Sequence, residues 1–249
     1  MVAYISGDNY VVCYLMRPIL TILFILNALL SFGQTFVYPT IKRTGKFIKD
    51  FVPSGWTILD SATGDLNNDN QYDATVILQH IDSTLIVEKE DNFEDSVVTQ
   101  PRILIILFKN STNNLFNLFE QSNSFILTHD SPFIDDPYQS ISIKRGILQI
   151  DFYWYPTSGN WFNTTAYKFR YQKNNFFLIG ADYEESNKAS HDFNRHSYNF
   201  LARKMTSTNG NWDKKTAKSK TEVLDFGNLK TIETIKRPYD WESGGGIDL

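Results

Sequence analysis

Hydrophobic residues that recur at every second position constrain this chain more than any other feature. In the stretch ILQIDFYWY (147–155), Leu148, Ile150, Phe152 and Trp154 alternate with polar or aromatic residues. Successive side chains of a β-strand point to opposite faces, so these four residues share one face. A period of two predicts a half-buried strand over this stretch and does not fit an amphipathic helix.

The same pattern recurs along the chain between short turns. Arg145 and Gly146 suit a two-residue hairpin turn, and the polar residues 173–175 suit a second turn. The β-rich runs are 56–62, 74–81, 102–109, 115–122, 140–144, 147–155, 166–172 and 176–183. The chain is therefore predicted to be mostly β, an antiparallel meander or sandwich-like set of sheets, with at most one short C-terminal helix at 228–236.

Composition divides the chain into three parts. Residues 34–183 carry all of these runs and are predicted to form a β-rich domain, in which the acidic stretch 87–101 is a solvated loop. Residues 184–249 are rich in Ser, Asn, Thr and Lys, which predicts polar loops, the short helix and a flexible tail. Residues 1–33 are predicted to be a signal peptide.

The signal-peptide prediction depends on an apolar stretch and the small residues that follow it. Arg17 precedes the apolar run Ile19 to Leu30, and Ser31 and Gly33 fit the −3 and −1 positions of a signal-peptidase site. The run is shorter than the ~20 residues that cross a bilayer, which favours a signal peptide over a membrane span. Cleavage would remove this run, so no stable membrane span is expected in the mature chain. A signal anchor is the alternative.

Export has consequences for the mature chain. Met16 stands directly before the signal pattern, so residues 1–15 are expected to precede the true start. Cleavage before Gln34 predicts a location in the periplasm, outside the cell or on the cell surface of a bacterium. The single cysteine, Cys13, lies upstream of the cleavage site, so disulfides and thiol chemistry are excluded from the mature chain.

The charge of the chain argues against nucleic acid as a partner. Its formal net charge is −4, and its 24 basic residues are spread along the sequence. Phosphate binding needs a clustered basic surface, which this distribution does not supply.

The stretch GDLNNDNQYD (64–73) is the best candidate for an ion site. Side-chain oxygens recur at alternate positions of a tight loop, which is the arrangement that Ca²⁺ prefers. The predicted ligands are Asp65, Asn67, Asp69 and Asp73 through their side chains and Gln71 through its backbone carbonyl. A polar turn that binds no ion is the alternative.

This stretch resembles the calcium loop of FG-GAP and VCBS-type repeats, which read Gly-Asp-x-Asn-x-Asp-Gly-x-x-Asp before an apolar strand. The resemblance implies the same five ligands and a structural Ca²⁺. Asn70 stands where that family has glycine, at a position that needs a positive φ, and asparagine tolerates this conformation best after glycine. The loop occurs once, which does not fit a propeller of such repeats. More loosely, the order of motifs over residues 50–183 resembles a group of uncharacterised secreted bacterial proteins.

Catalytic motifs are absent from the sequence. It contains no Gly-x-Ser-x-Gly, His-Glu-x-x-His or phosphate loop, and its histidines lack the spacing of a zinc site. Asp151 with Asp182 or Glu184, on neighbouring strands, could serve a glycosidase. Pairing of Asp151 with Lys168 or Arg170 would give it a structural role instead.

An aromatic cluster allows two interpretations, core packing or a platform for sugar stacking through Trp154 or Trp161. Its members are Phe152, Tyr153, Trp154, Tyr155, Trp161 and Phe162. The sequence thus predicts an exported, non-enzymatic β-rich module with one structural Ca²⁺ and an unidentified extracellular or cell-surface partner. The alternative is a carbohydrate-binding or glycoside-active protein.

Overall fold

The computed structural model describes residues 36–90, 93–235, 237–239, 242–243 and 247–248. Within them the chain is mostly antiparallel β-sheet with one short C-terminal helix, which confirms the predicted fold class. The signal-peptide prediction for residues 1–33 lies outside the described residues, and so does part of the predicted tail.

The first sheet has five strands. They are β1 (Thr44–Gly45), β2 (Trp56–Gly64), β3 (Asp73–His80), β6 (Arg102–Lys109) and β7 (Phe116–Ser122). Their order in space is β1–β7–β6–β3–β2. Between β3 and β6 the chain forms a separate hairpin of β4 (Thr84–Glu90) and β5 (Phe93–Thr99), and a 3-10 turn covers Ile48–Phe51.

The two central strands of this sheet are buried on both faces. Val76 and Ile77 of β3 point in opposite directions and are both fully buried, and so are Ile105 and Ile106 of β6. This explains why 102–109 is a continuous apolar run rather than an alternating one.

The second sheet has seven strands that follow one another in sequence and in space. They are β8 (Tyr138–Lys144), β9 (Ile147–Trp154), β10 (Trp161–Gln172), β11 (Asn175–Asn187), β12 (Asp192–Asn199), β13 (Lys204–Asn211) and β14 (Thr216–Val223). This is the predicted meander, extended by three strands.

Two predicted hairpin turns are confirmed by the backbone. Arg145 and Gly146, between β8 and β9, have φ angles of 54° and 71°. Lys173 and Asn174, between β10 and β11, have φ angles of 49° and 59°. Consecutive positive φ angles match the right-handed twist of paired strands, which is why two residues suffice to reverse the chain.

One hydrophobic core joins the two sheets. Ile77, Leu104 and Ile106 of the first sheet belong to the same buried cluster as Ile150 and Tyr167 of the second. Phe125, between β7 and β8, is fully buried, and its ring lies 5.3–6.2 Å from the rings of three aromatic residues of the second sheet. The opposite face of the second sheet, which we call the outer face, carries charged residues such as Asp151 and Asp182.

Two of the predicted loops are in fact strands. Residues 192–199, 204–211 and 216–223 form β12, β13 and β14, and most of the acidic stretch 87–101 forms the β4–β5 hairpin. Hydroxyl pairs across neighbouring strands replace apolar contacts, with Thr206 and Thr221 Oγ1 atoms 3.1 Å apart. The polar composition of these segments was therefore wrongly interpreted as a sign of loops.

The C-terminal helix α1 covers Ile232–Ile235, inside the predicted range 228–236. Ile232 and Ile235 are buried in the shared core. After it, β15 (Glu242–Ser243) and β16 (Ile247–Asp248) pair with each other. Among the described residues, no helix is both long and apolar enough to cross a membrane.

Candidate functional site

The predicted ion loop, between β2 and β3, is held together by its own hydrogen bonds. The Asp65 carboxylate accepts hydrogen bonds from the backbone N–H groups of Asp69, at 3.2 Å, and Asn70, at 2.9 Å. Asn67 Oδ1 accepts from the Asp69 N–H at 3.0 Å, and Asp69 Oδ1 accepts from the Gln71 N–H at 2.8 Å. Asn70 has a φ of 63°, as predicted for the residue in the glycine position.

Asp73 is placed differently from the other predicted ligands. Its side chain is fully buried, and its two oxygens accept hydrogen bonds from the Leu66 and Lys109 N–H groups, both at 2.9 Å. Burial raises the pKa of the Asp73 carboxyl, and the two N–H donors act in the opposite direction. Asp73 therefore ties the loop to the end of β6, which is a structural role.

The loop fits a hard cation in its donor types but not in their present positions. Within the described residues, no group of three or more His, Cys, Asp or Glu side chains is placed to hold a metal ion. Asn67 Nδ2 donates a hydrogen bond to Asp69 Oδ2 at 3.1 Å, so two predicted ligands bind each other. A cation would have to replace this contact.

A second candidate site lies on the outer face of the seven-stranded sheet. The register pairs Ala166 of β10 with Asp151 of β9 on one side and with Asp182 of β11 on the other. Asp182 pairs in turn with Ser197 of β12, and Asp151 with Ser140 of β8. These five residues form one row across five strands, and the structure brings together the two aspartates that the sequence suggested.

Neighbouring side chains of the sheet hold both aspartates by hydrogen bonds and an ion pair. Ser140 Oγ and Gln149 Nε2 each donate to Asp151, both at 2.7 Å. Ser197 Oγ donates to Asp182 at 2.6 Å, and Lys168 forms an ion pair with Asp182. Lys168 therefore pairs with Asp182 and not with Asp151, which corrects one of the sequence-based pairings.

The next row along the strands adds a second ion pair. Thr164 pairs with Tyr153 and with Glu184, and Glu184 pairs with Arg195. Arg195 Nη2 lies 2.6 Å from Glu184 Oε2, with the two side chains 43% and 24% exposed. Both rows thus present charged and hydroxyl groups to solvent.

The two rows line an open groove. Its volume is about 660 Å³, and its lining includes Asp151, Tyr153, Ala166, Asp182 and Arg195. Ala166 has the shortest side chain in its row, so a gap remains above it between the two aspartates, whose Cα atoms are two strand spacings or about 10 Å apart. The volume is within the usual range of small-ligand sites.

The aromatic cluster is divided between the two faces of the sheet. Phe152 is buried in the core, and Trp154 and Trp161, on the same face near the strand ends, are 43% and 44% exposed. Because side chains alternate along a strand, both tryptophans lie on the face opposite Asp151 and Asp182. The two tryptophans and the acidic pair therefore do not belong to one site.

Three other members of the cluster lie on the outer face, next to the groove. Tyr153, Tyr155 and Phe162 contact one another, with ring centroids 5.2–5.9 Å apart. We call these three residues the aromatic ledge.

Comparisons with models of protein families, with curated proteins and with solved structures found no match to this chain. The resemblance to FG-GAP and VCBS-type calcium loops therefore stays a prediction.

Sequence reasoning missed the part of the groove that β12 supplies. Arg195 and Ser197 lie in the polar region that was predicted to be loops. One available signal was that Arg195 and Ser197 alternate with His196 and Tyr198, as the residues of a strand would.

Proposed function

We propose that this chain is an exported, non-enzymatic module that binds a neutral polyhydroxylated ligand, a glycan, in the groove of the seven-stranded sheet. The observation that carries the proposal is the in-register row in which two hydrogen-bonded aspartates face each other across Ala166. Sugar hydroxyl groups both donate and accept hydrogen bonds, and the row offers carboxylate acceptors with ammonium and hydroxyl donors beside them.

The charge of the groove favours a neutral ligand. Three carboxylates, Asp151, Asp182 and Glu184, stand beside two cations, Lys168 and Arg195, so the local balance is one negative charge. Nucleic acids and other polyanions need a basic surface, which the groove lacks.

Hydrogen bonding also favours binding over hydrolysis. Asp182 and Asp151 each accept hydrogen bonds from two side chains supplied by the sheet itself. Such fixed acceptors position hydroxyl groups, whereas a general acid must be free to deliver a proton to the leaving oxygen. Glycoside hydrolysis is the runner-up, and it is tested on the same glycans.

A glycan array of neutral and charged structures tests the proposal. We expect the mature chain, beginning at Gln34, to bind a subset of neutral glycans. Ala166→Phe fills the gap between the aspartates and is expected to abolish this binding. Ser219→Ala, on the same face but at the far edge strand β14, is the matched control. Absence of binding to any glycan, or binding that survives in Ala166→Phe, would contradict the proposal, and release of reducing ends would favour the hydrolase.

We further propose that Ca²⁺ stabilises the loop between β2 and β3. The observation in favour is the loop framework, in which Asp65 holds the N–H groups of Asp69 and Asn70, and Asn70 has positive φ. Asp65, Asn67 and Asp69 would hold the ion with the Gln71 carbonyl. Asp73 would support the loop through its hydrogen bonds to the Leu66 and Lys109 N–H groups. Its chemistry would be structural, the neutralisation of clustered carboxylates.

Thermal melting with millimolar Ca²⁺, with Mg²⁺ and with a chelator tests this ion. We expect Ca²⁺ to raise the melting temperature by about 5 °C and the shift to vanish in Asp69→Ala. An unchanged melting temperature, or the same shift in Asp69→Ala, would leave the loop as a polar turn.

The export part of the proposal has its own test. The protein is recovered from the periplasm or medium of an expressing bacterium and its intact mass is measured. We expect this mass to match a chain that begins at Gln34. Recovery of uncleaved chain in the membrane fraction would favour the signal anchor.

A further inference from the structure

The aromatic ledge continues the groove along the direction of the strands. Tyr153 belongs to the second row of the groove, and Tyr155, just after the end of β9, contacts both Tyr153 and Phe162. On the neighbouring strand, Phe162 stands two residues beyond Thr164, and its register partner on β11 is Ser186. Polar groove and aromatic ledge are therefore consecutive parts of one surface.

The rings of the ledge are partly open to solvent. Tyr153, Tyr155 and Phe162 are each half-buried, and they lie on the face opposite the core. The Lys188 Nζ lies over the Tyr155 ring, 3.4 Å from its centroid, and donates a hydrogen bond to the Pro156 carbonyl at 3.3 Å. This lysine closes the far end of the ledge and leaves Tyr153 and Phe162 on the side of the groove.

The spacing of the two parts suits successive units of a polymer. Two residues along a strand advance the chain by about 6.8 Å, so the ledge begins one such step from the aspartate row and ends two steps from it. One step is comparable to the length of one pyranose unit. The apolar face of a sugar ring packs well against an aromatic ring, and its hydroxyl edge matches carboxylates and hydroxyl groups.

We infer that the groove binds a linear glycan chain that runs along the strands, rather than a single sugar. One unit lies over Ala166 between Asp151 and Asp182, and the next unit packs on the aromatic ledge. This inference rests on the proposed function, because it names the substrate class of the same site.

The test is a chain-length series measured by isothermal titration. The probes are the monomers, dimers and trimers of the cello-, xylo- and chito-oligosaccharide series. We expect affinity to rise on the order of tenfold from monomer to dimer or trimer in the best series, because a longer chain reaches the ledge. Phe162→Ala is expected to abolish this rise and to leave the affinity for the monomer unchanged.

Trp161→Ala is the matched control, because Trp161 is the neighbour of Phe162 in sequence but lies on the opposite face of the sheet. It is expected to keep the full dependence on chain length. Phe162→Leu, a smaller change at the same position with its fold checked by circular dichroism, is the second ledge variant, should Phe162→Ala fail to fold.

The outcomes separate this inference from the proposed function. Equal affinities for monomer, dimer and trimer would overturn the polymer inference and leave the glycan-binding proposal standing. A chain-length dependence that persists in the ledge variants would overturn it too. Failure of every oligosaccharide here and of every glycan on the array would overturn both.

Discussion

The ion loop and the groove both contain clustered aspartates, but their partners come from different distances in the chain. In the loop, Asp65 and Asp69 accept hydrogen bonds from residues two to five positions away. In the groove, Asp151 and Asp182 also accept from residues 11 to 15 positions away, on neighbouring strands. The loop carboxylates serve their own backbone, whereas the groove carboxylates hold side chains on a surface that solvent reaches.

This difference in hydrogen-bond range decides whether a site can be recognised from the sequence alone. A local loop leaves a motif in the sequence, because its geometry depends on residue types at fixed short spacings. A groove across a sheet leaves no motif, because its members meet only through strand order and register. In this chain, the loop is easy to recognise in the sequence, but its hydrogen bonds are those of a structural element. The candidate binding site becomes visible only once the strand order and register are known.

The largest expected effect separates Asp73 from the exposed residues of its own loop. Asp73→Ala leaves the buried N–H group of Leu66 and the partly buried N–H group of Lys109 without their acceptor. It is expected to lower the free energy of unfolding by about 3 kcal/mol. Asp69→Ala, at an exposed position, is expected to cost less than about 1 kcal/mol in the absence of Ca²⁺. Urea denaturation of both variants in chelator measures the difference, and equal losses would refute the structural role of Asp73.

Glu120 is a third kind of carboxylate, because it lies near another carboxylate. Glu120 of β7 lines a polar cavity of about 490 Å³ together with Glu233 of α1. Burial and, to a smaller extent, the nearby Glu233 charge together raise the pKa of Glu120 to about 7. Here a carboxylate faces another carboxylate rather than a donor.

The raised pKa predicts a pH-dependent stability. The folded state binds the Glu120 proton more tightly than the unfolded state, whose carboxyl titrates near its ordinary value of 4.5. The stabilising contribution is therefore complete below pH 4.5 and is lost as the pH rises through about 7, by about 2 kcal/mol once the partial exposure of the side chain is allowed for.

Glu120→Gln carries no charge and is expected to remove this part of the pH dependence. Urea denaturation of wild type and variant at pH 5, 6, 7 and 8 measures it. The variant is expected to be the more stable protein at pH 8, by about the same 2 kcal/mol. Parallel curves for the two proteins across this range would show that Glu120 ionises normally.

The smallest expected effect concerns the stability of the groove itself. Lys168 and Asp182 are 32% and 41% exposed, so solvent screens their ion pair. Lys168→Met is expected to change the free energy of unfolding by about 0.5 kcal/mol or less, measured by urea denaturation, while it weakens glycan binding. A loss of several kcal/mol would show that this row is a structural element like Asp73 rather than a binding surface.

The sequence predicted the fold where the hydrophobic pattern was regular. The strands from β8 to β11 and their two hairpin turns follow from alternation and turn residues. Strands β12 to β14 did not, because most of their residues are polar on both faces and only a few side chains, such as Phe193 and Tyr198, are buried.

The candidate site was predictable only in part. Asp151, Asp182 and Glu184 stood out as acidic residues on neighbouring strands, and Asn70 was correctly expected to have positive φ. The gap above Ala166 could not be predicted, since it depends on the register of β9, β10 and β11. Alternation within β9 places Trp154 on the face opposite Asp151, but the face of Trp161 relative to Asp182 required the strand pairing.

The most direct test compares one residue from each region by the affinity for the best-bound oligosaccharide. We expect Asp182→Ala to reduce this affinity at least tenfold, because it removes an acceptor from the groove, and Asp69→Ala to leave it unchanged. Isothermal titration of the two variants and the wild type, all in excess Ca²⁺ and with their folds verified, measures both. If Asp69→Ala abolished binding and Asp182→Ala did not, the loop rather than the groove would be the binding site.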